Sequence, residues 1–368
     1  MRIFAAVVRE KDGPFLIEEL ELEHPRDDEV RVRVVGAGIC HSDLSVREQM
    51  LPAPLPMVLG HEGAGIVEAV GAKVTAVAPG DHVVMSFMTC GKCRNCYTGL
   101  PACCDAIYPL NFGGARSDGS GGFTTVHSPR SRVHGFFFSQ SSFATHALCH
   151  ERNVVKVPQD VPLEILGPLG CGIQTGAGSV LRALRPPAGS TIAVFGTGPV
   201  GISSIMAARV AGCTKIVGID INERRLELAH ELGATHIVDA SRSDPVEQVK
   251  AITRGGADYS IDSTGVAKVT RQALECLRIP GTCGMIGGAP LGTEITFTWE
   301  SLFFGRTVCG IVEGNAVPQI FIPEMIDLYR AGRFPFDRLI KFYPLTEINE
   351  AARDALQGRV LKPVMLPA

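Results

Sequence analysis

The sequence predicts an α/β protein, in which a β-rich segment is followed by a doubly wound parallel sheet. Three observations point there. The chain has 368 residues, more than one ordinary core accommodates. Its first 150 residues alternate apolar and polar positions between frequent turns. From about residue 172, strand-like and helix-like segments alternate at the spacing of βαβ units.

Taken in order, MRIFAAVV has too short an apolar run for a signal-peptide core and reads as a strand. EVRVRVVGAG (29–38), GAGIVEAVG (63–71) and DHVVMSF (81–87) read as strands too. Residues 109–135 are Gly- and Ser-rich with few apolar anchors and read as a long loop. TIAVFG (191–196) leads through a glycine turn into the helical pattern VGISSIMAARVAG. KIVGID (215–220), a helix over 223–232, HIVDA (236–240), a helix around 246–252 and ADYSIDSTG (257–265) follow. After about 312 the alternation lapses, with helical stretches around 319–331 and 346–357.

The formal net charge is −3 and no block of Lys or Arg stands out, which speaks against a nucleic-acid partner. The longest uncharged run, 186–208, is broken by glycines and turn signals, so no membrane span is expected. A cytoplasmic protein with reduced thiols is expected, and its twelve cysteines then point to metal ligands rather than disulfides.

GTGPVG, residues Gly196, Thr197, Gly198, Pro199, Val200 and Gly201, follows a strand and opens a helix. Gly196 permits the tight turn, Gly198 lets a pyrophosphate approach the backbone, and Gly201 allows close packing of helix on strand. The helix N-terminus, with Pro199 and Val200, offers free N–H groups to phosphate. Such a motif alone is weak. Asp220 ends the next strand, where its carboxylate can bind both ribose hydroxyls and repel the 2′-phosphate of NADP, so the expected cofactor is NAD. Arg224 and Arg225 could accept that phosphate but read more simply as solvated charges near a helix start, with Arg225 lying over the adenosine as its binding role.

CGKCRNCYTGLPACC (90–104) crowds five thiols into fifteen residues. Cys90, Cys93, Cys96 and Cys104 suffice for a closed tetrahedral zinc site, which is structural because no position stays open for substrate. Cys103 is the spare thiol and the alternative fourth ligand. An iron–sulfur cluster is disfavoured by the spacing.

Together with these stretches, GICHSDL (38–44), GHEGAGIVEAVG (60–71), GCGIQTG (170–176) and LKPV (361–364) resemble the zinc-dependent medium-chain alcohol dehydrogenases over essentially the whole chain. NFGG (111–114) and FFFSQSSFATHAL (136–148) resemble the aryl- and allylic-alcohol branch, which includes bacterial benzyl alcohol and geraniol dehydrogenases. The resemblance implies a GroES-like catalytic domain over 1–171 and 313–368 and an NAD-binding Rossmann domain over 172–312. It also implies two zinc ions per chain, one catalytic and one structural. Cys40, His61 and Cys171 correspond to the catalytic zinc ligands, a grouping that rests on the resemblance and not on spacing. Glu62 matches a carboxylate that can approach the metal, Asp43 a partner of the ligand histidine, and Ser42 the hydroxyl bonded to the substrate oxygen. Thr175 falls beside the nicotinamide, while His41 and Lys362 fall at the pyrophosphate. Phe137, Phe138 and Ser86 correspond to the substrate wall, and aromatic walls favour flat, apolar alcohols. Ser45 departs from the pattern: many members carry a histidine there as the outer proton relay, so water or the cofactor ribose is left for that step.

The implied activity is reversible hydride transfer between a primary alcohol, benzylic or allylic, and NAD, giving an aldehyde, in a homodimer or homotetramer. A glutathione-dependent formaldehyde dehydrogenase shares both metal sites and is the alternative within enzymes. A zinc-ribbon binding module is the alternative outside them, and it leaves GTGPVG, Asp220 and GHE unexplained. A thiol redox sensor would need a cysteine pair that zinc does not already claim.

Overall fold

A computed structural model describes residues 1–126 and 132–367. The chain divides into two compact units, Met1–Gly172 with Val317–Pro323 and Asp337–Ala368, and Ile173–Ala316 with Glu324–Phe336. This differs from the expected division, which put all of 313–368 with the first domain. Residues 324–336 join the second unit through side chains there, where Arg182 pairs with Glu324 and Arg333 donates to the carbonyl of Val210.

The first unit holds two sheets. One runs Met57–Val58, Arg2–Val8, Phe15–Leu22, Phe123–Thr125, Arg132–Val133. The other runs Val154–Lys156, His82–Met85, Glu62–Val70, Glu29–Gly38, Lys362–Leu366, Ile340–Pro344, with His146–His150 also pairing Glu29–Gly38. Alternating side chains put Val30, Val32, Val34 and Ala37 into the main core with Met57, Phe143, Ile348 and Met365. The expected long loop over 109–135 is a correction. It contains the end of helix Ile107–Phe112 and two short strands, Phe123–Thr125 and Arg132–Val133, while 127–131 lie outside the described residues. Side chains hold this segment where apolar anchors are sparse. Half-buried Arg116 binds both oxygens of Glu29 and one of Glu23, and Arg26 binds Asp118 and Ser120.

The second unit is built on six parallel strands in the order His236–Asp239, Lys215–Asp220, Thr191–Phe195, Ala257–Asp262, Leu277–Met285, Thr307–Gly310. Read in chain order this is 3-2-1-4-5-6, the Rossmann arrangement. Helices Pro199–Val210, Glu223–Glu231, Pro245–Thr253 and Ala267–Glu275 connect the strands. Among the described residues, no helix is long and apolar enough to cross a membrane.

Candidate active site

Strand register assembles the first cluster. Gly38 pairs with Glu62, so Cys40, two residues past one strand, emerges beside His61, one residue before the other. Cys171 arrives from the short turn Gly167–Gly170. One ligand atom from each of Cys40, His61, Glu62 and Cys171 lies within 4.8 Å of the others. Helix His41–Arg47 begins immediately after Cys40 and turns Asp43 inward. The Asp43 carboxylate accepts from the backbone N–H of Cys40 (2.9 Å) and of Gly60 (3.0 Å), and contacts His61 Nδ1 at 2.9 Å. That contact makes Nδ1 the protonated nitrogen. His61 Nε2 is left buried with no hydrogen-bond partner, and it faces the sulfurs. An orphaned imidazole nitrogen beside two thiols and a carboxylate fits a zinc ion.

The electrostatics agree with that donor set. The Cys40 thiol is held well below its ordinary value by hydrogen bonding with Cys171, then by His61 and Lys362, against the opposing effect of burial. Burial disfavours charge on His61, yet Asp43 and Cys40 together raise its proton affinity well above the ordinary value. Burial pushes Glu62 up to about 7, with Lys362 pulling the other way. Lys362 stays charged, because Glu62 and the two sulfurs outweigh its own burial.

Lys362 is a correction. Expected at a pyrophosphate, it is 2% exposed, and its ammonium donates to both oxygens of Glu62 (2.8 Å each) and to the carbonyl of Ile39 (3.2 Å). Its three donors are spent beside the metal cluster. Glu62 also accepts from the N–H of Gly172 at 3.0 Å. Ser42 Oγ lies 3.9 Å from the Cys40 sulfur, at the cluster, and His41 is exposed at the start of its helix.

The expected substrate wall is only partly so placed. Phe138 stacks on the His61 ring with centroids 4.3 Å apart, and at 7% exposed it retains some surface. Phe137 is fully enclosed, edge-on to His61, Phe112 and Phe138. Ser86 is buried and its hydroxyl donates to the carbonyl of Gly170 at 2.6 Å. The sequence reading missed Gln140, Asn153 and Phe112, which hold or pack against these groups. The polar run QSS after three phenylalanines was the available signal.

The second cluster brings together Cys90, Cys93, Cys96 and Cys104, all as free thiols. Two of its sulfur pairs, Cys93–Cys96 and Cys90–Cys96, are 3.5 and 4.0 Å apart. Zinc–sulfur bonds of about 2.3 Å in a tetrahedron place sulfurs about 3.8 Å apart, so the cage fits zinc. The N–H groups of Asp105 and then Cys96 push the Cys93 thiol down to about 6, while burial raises the Cys96 and Cys104 thiols. Cys103 is exposed and outside the cluster.

In the second unit Gly196 has φ +85 at the turn, and Gly198 caps the helix Pro199–Val210. A Cβ on Gly201 would lie 1.8 Å from the carbonyl of Gly196, whereas one on Gly198 would meet nothing within 4 Å. Close packing at one glycine and open space over another is the cradle a pyrophosphate requires. Asp220 accepts from the N–H (2.7 Å) and hydroxyl (2.9 Å) of Thr197 and from the N–H groups of Ile221 and Asn222. It thereby ties the glycine turn to the next loop. Arg225 begins a helix turn capped by Asn222, with a buried, unpartnered Nε. The Thr175 hydroxyl donates to Glu313 at 3.3 Å.

Comparison with known proteins adds an independent line. Residues 26–159 match the model of the alcohol dehydrogenase GroES-like domain, and 199–331 that of the zinc-binding dehydrogenase. Geraniol dehydrogenase of Castellaniella defragrans is 47% identical over 365 residues, spanning 98% of this chain and 97% of that protein. The crystal structure of benzyl alcohol dehydrogenase from Acinetobacter calcoaceticus superposes with a TM-score of 0.97 at 47% identity, covering both chains fully. A zinc-binding-domain alcohol dehydrogenase from Burkholderia ambifaria reaches 0.98 at 51% identity, again over both whole chains. With two domain models matched in the order that the fold displays, and a metal-fitting donor set in the first, this chain belongs to the zinc-dependent medium-chain alcohol dehydrogenase family.

Proposed function

We propose that the protein oxidises a primary benzylic or allylic alcohol to the aldehyde, reversibly and with NAD, using one catalytic and one structural zinc per chain. The observation that carries this reading is the unpartnered, tautomer-fixed Nε2 of His61 beside Cys40 and Cys171, with the Phe138 ring stacked over it. The geraniol and benzyl alcohol dehydrogenases named above supply the substrate class.

Zinc bound by Cys40, His61 and Cys171 supplies Lewis-acid polarisation of the substrate oxygen, and NAD on the second unit supplies the hydride acceptor. The chain's own residues do the rest. Ser42 Oγ accepts the hydroxyl proton of the alcohol as its own proton passes on to water or the cofactor ribose. Asp43 keeps His61 in the Nδ1–H form. Glu62, balanced by Lys362, sets the charge behind the cluster. Phe138 excludes water and offers a flat apolar face. Gly196, Gly198 and Gly201 with the helix N-terminus at Pro199 and Val200 receive the pyrophosphate, Asp220 the ribose and Arg225 the adenosine. His41 is an exposed imidazole for phosphate, and Thr175, held by Glu313, faces the nicotinamide. Cytoplasmic residence and assembly as a homodimer or homotetramer belong to the same proposal.

The test is a steady-state comparison of benzyl alcohol, geraniol and ethanol with NAD and NADP, beside elemental zinc analysis. Expected are kcat/KM values at least tenfold higher for the bulky alcohols, preference for NAD, and two zinc ions per chain. Equal values for ethanol would remove the substrate assignment, and formaldehyde oxidation that requires glutathione would replace it.

A further inference from the structure

The metal ligands come from three separate stretches of chain, and two polar side chains that are not ligands join those stretches. Gln140 is 1% exposed. Its amide nitrogen donates to the carbonyl of His61 at 2.9 Å and to that of Ser86 at 3.3 Å, and its oxygen accepts from the N–H of Gly63 at 3.2 Å. Ser86 passes the connection on, its hydroxyl donating to the carbonyl of Gly170, the neighbour of Cys171. Asn153 fixes Ser86 in turn. Its amide donates to the carbonyls of Ser86 (3.0 Å) and Phe138 (2.9 Å), and its own carbonyl accepts from the N–H of Ser86 at 2.8 Å. A continuous hydrogen-bonded path therefore runs from His61 through Gln140 and Ser86 to the Cys171 turn.

The backbone around Gln140 is under strain. Phe138, Ser139 and Ser141 have φ of +48, +53 and +54, each without being glycine. Such residues are costly and persist only where surrounding bonds over-determine them. Those bonds are present: Ser139 Oγ donates to the carbonyl of Leu110, and Ser141 Oγ to that of Val58. The strained turn delivers two things at once, the Gln140 amide beneath His61 and the Phe138 ring above it. Sheet register already sets Cys40 against His61, but Cys171 follows a turn and not a strand, so its distance from His61 depends on side-chain bonds.

We propose that Gln140, relayed by Ser86, is a positioning element that sets the spacing between His61 and Cys171 and thereby the affinity and geometry of the metal held there. This rests on the catalytic-zinc reading above. It also gives Ser86 a different task from lining the substrate wall.

The experiment uses the purified holoenzyme. Gln140→Glu keeps the size and the acceptor for Gly63 but turns an oxygen, not a donor, towards two carbonyls. Ser86→Ala removes only the relay hydroxyl and is the milder variant. Zinc release to 4-(2-pyridylazo)resorcinol gives the loss rate of each site, and replacement of the catalytic zinc by Co(II) gives a thiolate charge-transfer band that reports geometry. Both variants are expected to release the catalytic metal about 10- to 100-fold faster, the usual effect of losing outer partners of metal ligands. The Co(II) band should move while the Cys90–Cys104 site releases zinc at its original rate. Wild-type rates and spectra in both variants overturn the proposal, and so does Ser86→Ala releasing both metals equally faster, since that is general loosening. If the wild-type enzyme holds a single zinc and gives no thiolate band with Co(II) at Cys40 and Cys171, the catalytic-zinc reading itself falls.

Discussion

One nitrogen of His61 is committed and the other is available because of a carboxylate eighteen residues earlier, and Asp43 is itself pinned by two backbone N–H groups. A ligand fixed this way loses little freedom on binding metal, so removing a neighbouring ligand should damage the site and not the fold. Cys40→Ala is therefore expected to abolish turnover, by at least about a thousandfold in kcat/KM on the scale of lost Lewis-acid catalysis. Circular dichroism and the melting temperature should stay near wild type. Near-normal turnover in a variant of verified metal content would show that Cys40 is not a ligand. At this scale the sequence is readable where chemistry is local, as in GTGPVG. It is silent where partners are far apart: Lys362 meets Glu62 across 300 residues, and no periodicity in LKPV announces that pair.

At the scale of elements, the Cys90–Cys104 lobe contains a four-residue helix and one short 3-10 turn, Arg94–Tyr97 and Pro101–Cys103. Neither segment buries much apolar surface, so the lobe depends on what its thiols bind. Structural zinc supplies on the order of 10 kcal/mol of folding free energy to such a segment. Cys93→Ser should accordingly lower the melting temperature by at least about 5 °C while activity per folded molecule at 25 °C falls less than twofold. Differential scanning calorimetry and initial rates check this, and an unchanged melting temperature with lost activity would move the chemistry to this cluster. Legibility of the elements follows the same physics. Strands such as Glu29–Gly38 and Thr191–Phe195 carry their own apolar pattern and were readable from it. Phe123–Thr125 and Arg132–Val133 are two or three residues long and are held by pairing with Phe15–Leu22 and with each other, so no pattern of their own marks them.

For the whole molecule, the surface of the second unit poses the remaining question. Trp299, Phe303 and Phe304 are 65%, 60% and 58% exposed, with Trp299 and Phe303 stacked at 3.8 Å. They precede Thr307–Gly310, the terminal strand of the six-stranded sheet, whose outer edge has no strand partner among the described residues. Contiguous exposed aromatics mark interaction surfaces, and an open strand edge is a template for pairing with another chain. A second copy of this chain offers the same edge and the same rings, so a two-fold interface satisfies both at once. The wild-type protein is expected to show two or four times the chain mass by light scattering at micromolar concentration. Phe303→Asp places a charge, and its symmetry mate, inside that interface and should shift the particle to a single chain mass with the zinc content retained. A wild-type monomer, or a Phe303→Asp variant that still assembles, would leave those aromatics exposed for some other partner.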